Sequence, residues 1–217
     1  MWEMSAKSGK REWRQLSTTP PSVVTRMTGE DQLILVNEND EMVGVGEKLK
    51  IHRTGLLHRA FSIFILNSLG ELLLQRRALN KYHSPGLWSN TCCGHPGPGE
   101  PLLAAARRRL KAEMGLDCQL TQVGSFIYRQ DVSGGLIEHE FDHLLIGHSD
   151  LDPTLNLEEA VGWKRANFER LRREVSDHPE DFTCWIRVII NTQLHVFSYQ
   201  SLLARQAGKR LDGPQGG

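Results

Sequence analysis

The chain has 217 residues, and 26 basic side chains balance 26 acidic ones. That is enough for one domain with a full core, without the global field that draws a protein to nucleic acid or a membrane surface. No apolar run reaches the length of a membrane span or the core of a signal peptide, and four cysteines, two of them adjacent, make a poor disulfide framework and indicate a reducing, cytoplasmic compartment.

Residues 1–28 set Lys7, Lys10, Arg11, Arg14 and Arg26 against Glu3 and Glu12. With Ser, Thr and Pro20-Pro21 they read as a disordered extension. Residues 206–217 read as a disordered tail, leaving 29–205 as one domain. The short apolar run 32–37, closed by Glu38-Asn39-Asp40, predicts a strand and a turn, with 42–45 as its partner. Residues 60–66 and 72–76 flank Asn67-Ser68-Leu69-Gly70 as a hairpin. Residues 102–114 carry apolar or small side chains at helical spacing and stop at Gly115. A second hairpin joins 125–129 to 136–147 through Ser133-Gly134-Gly135. Residues 162–164 form a short strand, Asn167 caps a helix through 175, and 185–203 form the terminal helix. Strands with a mid-chain helix and a helical tail predict an α+β fold, a layered domain around a mixed sheet.

The most chemical stretch is Asn90-Thr91-Cys92-Cys93-Gly94-His95-Pro96, a thiol two residues from an imidazole in a loop-like segment. Glu138 and Glu140 lie two apart in a strand-like run, so both emerge on one face and His139 on the other. With His52, His58 and His95 they make five candidate ligands. That number exceeds the tetrahedral set of a structural zinc and suits Mn²⁺, Mg²⁺ or a higher-coordinate Zn²⁺. Spacing alone does not bring these residues together.

Gly94, Glu100 and the run Arg108-Arg109-Leu110-Lys111-Ala112-Glu113-Met114-Gly115-Leu116 resemble the Nudix box, the loop-helix-loop of diphosphate-handling enzymes. The box normally carries acids where Arg109 and Ala112 stand. Hydrolysis in such enzymes relies on clustered carboxylates that hold divalent ions and activate water. Here Glu113, with Glu100 as a second candidate, is what remains. Arg107, Arg108, Arg109 and Lys111 turn the helix cationic, which suits binding a diphosphate more than cutting it.

Three separated strings then coincide with one family. Gly55-Leu56-Leu57-His58-Arg59-Ala60-Phe61-Ser62, Asn90 to Pro96 and Glu138-His139-Glu140 resemble type I isopentenyl diphosphate isomerase over residues 31–203. The resemblance implies a Nudix-like α/β/α sandwich and an enzyme that interconverts isopentenyl and dimethylallyl diphosphate. It implies Cys93 and Glu140 as the catalytic pair, Tyr128 assisting Glu140, and Trp185 facing the reacting carbon. It further implies a divalent ion (Mn²⁺, Zn²⁺ or Mg²⁺) on His52, His58, His95, Glu138 and Glu140. Lys48, Arg77, Lys81 and Arg109 would surround the diphosphate, and Glu113 would hold a Mg²⁺ that arrives with it. Thr183-Cys184 stands where the family has Thr-Pro. The implied ligand is a small isoprenoid diphosphate; nucleic acid and a membrane span are not expected. Two other readings stay open: a Nudix pyrophosphohydrolase, which needs the acids replaced by Arg109 and Ala112, and an inactive, metal-stapled diphosphate-binding module.

Overall fold

A computed structural model describes residues 32–193 and, of the N-terminal stretch, the backbone of residues 2–7 and 10–15. Within the segment read as a disordered extension, strands β1 (Trp2–Lys7) and β2 (Lys10–Gln15) pair antiparallel as a separate ribbon. The expected tail at 206–217 and the continuation of the terminal helix beyond 193 lie outside the described residues.

The domain is built on a mixed sheet. Strand β3 (Gln32–Val36) pairs antiparallel with β4 (Met42–Glu47), and helix α1 (Lys48–Thr54) follows directly. Neither pattern nor length announces this helix. It exists because the Glu47 carboxylate accepts from the amides of Leu49 and Lys50, at 2.9 and 3.0 Å, and Gly55 ends it with a left-handed φ of 65°. Strand β5 (His58–Leu66) is buried along nearly its whole length and turns through Asn67–Gly70 into β6 (Glu71–Arg77). The hairpin is paired only at its tip, Ile65 with Leu73 and Leu66 with Leu72. Beyond that the two strands part. Strand β6 takes β7 (Trp88–Ser89) and β5 takes β8 (Cys92–Gly94). The thiol segment, expected as loop, is therefore a strand, held by pairing Cys93 with Ser62 and Gly94 with Phe61.

Helix α2 (Leu102–Met114) runs as predicted to Gly115, whose φ of 67° favours glycine and where an added Cβ would stand 2.8 Å from the Thr154 carbonyl oxygen. Strands β9 (Leu120–Val132) and β10 (Leu136–His148) form the second hairpin, longer than its apolar pattern suggests because β9 is an edge strand with a wet face. Strand β11 (Ala160–Asn167) pairs with β6. Asn167 caps α3 (Phe168–Asp177) by accepting from the Arg170 amide at 2.8 Å, and α4 (Cys184–Thr192) closes the described chain.

The central path is β11-β6-β5-β10-β9, with β5 and β10 parallel. Leu110, Ala106 and Met114 of α2 pack on one sheet face with Phe61, Ile63 and Leu73. On the opposite face Leu171 of α3 and Ile186, Ile189 and Ile190 of α4 pack with Phe64, Leu72 and Leu144. The result is an α/β/α sandwich. Each fully buried Leu, Ile or Phe contributes about 1.5–3 kcal/mol. The rift between the parted strands β5 and β6 is where the chemistry collects.

Candidate active site

The parallel register sets His58 on β5 beside Glu140 on β10. Alternation along β10 puts Glu138, Glu140 and Asp142 on one buried row. His139 faces away, its Nδ1 2.9 Å from the Gly55 carbonyl. Helix α1 delivers His52, and His95 follows β8. The donor atoms of His52, His58 and His95 lie within 4.8 Å of one another, as do those of His58, Glu138 and Glu140. His52 Nδ1 meets the Lys48 carbonyl at 2.7 Å and His58 Nδ1 meets that of Leu56 at 2.9 Å. Each carbonyl takes an N–H and turns the lone pair of Nε2 toward the cluster. Both Nε2 atoms and Glu138 Oε2 are buried without a hydrogen-bond partner. A buried orphan polar atom costs about 1–3 kcal/mol, so three of them aimed at one point fit a divalent cation.

Glu140 accepts from the Tyr128 hydroxyl at 2.6 Å and lies 3.0 Å from His95 Nε2. Burial and the charge of Glu138 push its carboxyl up, but the neighbouring imidazoles of His58 and His95 prevail and hold it at about 2. Burial pushes His95 down to about 3, against its contact with Glu140, so the ring is neutral at pH 7. Burial also pushes the Cys93 thiol up to about 12, against the pull of Arg77. At neutral pH Cys93 therefore carries a proton and Glu140 does not. One step further along β10, Asp142 accepts from Ser62 Oγ at 2.8 Å, and burial followed by the charge on Glu140 holds its carboxyl well above the usual range.

These groups open onto a cavity of about 180 Å³ whose far wall is cationic. Pockets for drug-sized ligands start near ~300 Å³, so this one is small. Lys48, Arg77, Lys81 and Arg109 all line it. Lys81 is paired with Glu159, and Arg109 with Glu113 and, at 3.4 Å, with Glu159. Arg77 donates to the carbonyls of Ser84 and His83 and lies over the Trp185 ring, 5.2 Å from its centroid. Burial lowers the Lys48 pKa, and its Nζ stands 5.8 Å over the Tyr82 ring. Trp185 is fixed through Nε1, which donates to Ser89 Oγ at 2.9 Å and Asn90 Oδ1 at 3.1 Å. Gly94 lets α2 come this close, since a Cβ there would stand 3.1 Å from Phe61 and 3.4 Å from Arg109.

Chains of this kind are known. Residues 56–186 match the NUDIX domain model. An isopentenyl-diphosphate Delta-isomerase 2 from Aromatoleum aromaticum is 50% identical over 173 residues, 80% of this chain and 90% of that protein. An isopentenyl-diphosphate Delta-isomerase from Serratia proteamaculans is 52% identical over 161 residues, 74% of this chain and 90% of the relative. The chain belongs to the isopentenyl-diphosphate Delta-isomerase family, within the NUDIX fold. A crystal structure of a Deinococcus radiodurans protein shares that fold at a TM-score of 0.63, with 22% identity over 74% of this chain and 97% of that one.

All the site residues that the family resemblance implied line the cavity except His52 and His58, which stand behind it in the imidazole cluster. Glu100, the second acid of the box, does not line it. Arg108 grips its carboxylate at the surface, at 2.8 Å, and Glu100 Oε2 accepts from the Gly97 amide. Four cavity or near-cavity residues went unread in the sequence: His83, Tyr82, Asp142 and Glu159. Asp142 continues the period-2 row of Glu138 and Glu140, which was signal enough to find it. The other three sit in irregular connections, where spacing carries no direction.

Proposed function

We propose that this chain interconverts isopentenyl diphosphate and dimethylallyl diphosphate. The observation that carries the reading is the placement of Cys93 and Glu140 on one cavity, opposite a wall of cations. Moving the double bond requires a proton added at one carbon and another removed two bonds away. Protonating an isolated alkene gives a tertiary carbocation-like state, so the site needs an acid, a base and no water to trap the cation. Cys93 and Glu140 fill the two proton roles, and reversal of the reaction exchanges them. The Tyr128 hydroxyl steadies Glu140 and offers a relay for its proton. Trp185, fixed by Ser89 and Asn90, presents a π-face; a desolvated cation–π contact contributes about 2 kcal/mol, roughly 30-fold in rate if confined to the transition state.

His52, His58, His95, Glu138 and Glu140 would hold a divalent ion, Mn²⁺, Zn²⁺ or Mg²⁺. Such an ion supplies positive charge that stabilises the Glu140 anion and tunes its proton affinity. At the other end Lys48, Arg77, Lys81 and Arg109 bind the diphosphate through charge-assisted hydrogen bonds, and Glu113 would hold a Mg²⁺ that enters with it. The diphosphate is held and not cut, because Arg109 and Ala112 occupy the positions of two hydrolytic acids and Arg108 ties up Glu100. Four unbridged cysteines suit a reducing, cytoplasmic setting, and among the described residues no helix is long and apolar enough to cross a membrane.

The test is a single assay. With Mg²⁺ in D₂O, the protein is expected to place deuterium in isopentenyl diphosphate and to form the dimethylallyl isomer without releasing phosphate. Phosphate release without isomerisation would establish the hydrolase reading instead. Tight ligand binding without turnover would establish the inactive module.

A further inference from the structure

His83 is a buried histidine in the connection between β6 and β7 that no part of the proposed chemistry uses. Its Nε2 lies 3.1 Å from Glu138 Oε1. The other oxygen of that carboxylate, Oε2, is the orphaned atom turned toward the imidazole cluster, 3.3 Å from His52 Nε2. Two histidines thus bracket one carboxylate, but they are not equivalent. His52 belongs to a group of converging donor atoms, whereas His83 joins none among the described residues.

The surroundings of His83 fix its aim. Arg77 donates to the His83 carbonyl at 3.1 Å and to that of Ser84 at 3.2 Å. Ser84 sits at φ 49°, a left-handed backbone that a non-glycine residue keeps only where neighbours enforce it. Its amide donates to Ser133 Oγ at 3.1 Å. The imidazole is flanked edge-on by Tyr82 and Trp185, with centroids at 4.5 and 5.8 Å. Its remaining nitrogen, Nδ1, lies 3.4 Å from the Ser84 hydroxyl. A hydroxyl donating to Nδ1 selects the tautomer with the proton on Nε2, facing Glu138.

We propose that His83 is a positioning residue for the metal site. It donates Nε2–H to Glu138 Oε1 and so keeps Oε2 turned toward His52 and His58. This is the outer partner that a ligating carboxylate requires, and losing such a partner typically costs about 10- to 100-fold in metal affinity. The inference rests on the proposed divalent site, and its test separates the two.

Zn²⁺ affinity is measured by competition with a chromophoric chelator for the wild-type protein, Glu138→Gln, His83→Phe and His83→Gln, each first shown to melt cooperatively. Phe keeps a ring against Trp185 and removes the donor; Gln keeps a donor and removes the ring. Phe is expected to weaken Zn²⁺ roughly 10- to 100-fold, and Gln to stay within about threefold of wild type. His83→Ala, with the same expectation as Phe, replaces it if the larger ring prevents folding. Wild-type affinity in the donor-less variant would overturn the assignment. Equal loss in Phe and Gln would also overturn it, making His83 a ligand or a packing element. A wild-type protein that binds no Zn²⁺, or binds it as well with Glu138→Gln, would remove the metal site itself and this inference with it.

Discussion

The two ends of the cavity are built by different means. At the imidazole–carboxylate end, backbone register does the placing. His58 and Glu140 are strand partners, Glu138 and Glu140 share a row, and Cys93 pairs across β5 with Ser62. The side chains there are short and buried or half-buried, and most of their freedom is spent when the sheet forms. At the cationic end, long side chains reach in from α1, α2, β6 and the β6–β7 connection, and two of them, Lys81 and Arg109, are already paired with Glu113 and Glu159. The first end is suited to holding reacting groups within a fraction of an ångström of a bond that moves. The second is suited to gripping an anion whose own bonds do not change, and it can exchange one anionic partner for another. Substitutions at the first should therefore strike turnover, and those at the second should strike binding.

The largest effect is expected at the proton-handling pair. Cys93→Ser and Glu140→Gln keep size and polarity while changing proton affinity. General acid–base catalysis is worth roughly 10²- to 10⁴-fold, and in the proposed reaction neither partner could cover for the other, because one would add a proton and the other remove one at a different carbon. Each variant should lose at least that factor in kcat, with substrate affinity changed far less. Steady-state kinetics with isopentenyl diphosphate measures the split. Full turnover in either variant would remove it from the pair.

Next comes stripping the divalent ion. Its candidate ligands come from α1, β5, the segment after β8, and β10, so an ion staples four distant parts of the chain. A ligand at a thousandfold excess over its Kd adds about 4 kcal/mol to stability. For a protein of this size that is on the order of 10 °C in Tm. Differential scanning calorimetry with saturating Mn²⁺ and then with chelator measures the difference. A change below about 2 °C would mean that the imidazole end is held by the sheet alone.

This asymmetry also explains what could be read from sequence. Helix α2, the two hairpins and the Asn167 cap announce themselves through local periodicity and turn chemistry. Helix α1 carries no such signal, because only Ile51 and His52 of its seven residues are buried, too few to form a periodic face. Strands β7 and β8 carry none either, because they are two and three residues long and are made by pairing, not by pattern. At the site, period-2 spacing put Glu138 and Glu140 side by side. The meeting of His52, His58, His95 and Glu138 depends on the parallel register of β5 with β10, a non-local fact that no spacing encodes. The family resemblance supplied those positions instead. It is silent on His83 and Glu159, which the fold brings to the cavity from irregular connections.

The smallest effect is expected at Lys81, and it tests the exchangeable end most directly. A hydrogen bond to a charged group is worth about 1.5–3 kcal/mol, but Lys81 must first release Glu159, and its side chain keeps some solvent contact. The net contribution should fall at the low end, near ~1.5 kcal/mol, or roughly 10-fold. Because the diphosphate is the same before and after the proton shifts, this contact binds substrate and transition state alike. Lys81→Met should therefore raise KM about 10-fold and leave kcat within a few-fold. Part of the wild-type contribution is a solvent-exposed charge interaction, so raising salt from 0.05 to about 0.5 M should raise the wild-type KM more than that of the variant. Equal salt sensitivity in both would place the attraction on Arg77, the buried one of the four cations, instead, and a fall in kcat with KM unchanged would show that the anion grip helps to align the alkene between Cys93 and Glu140.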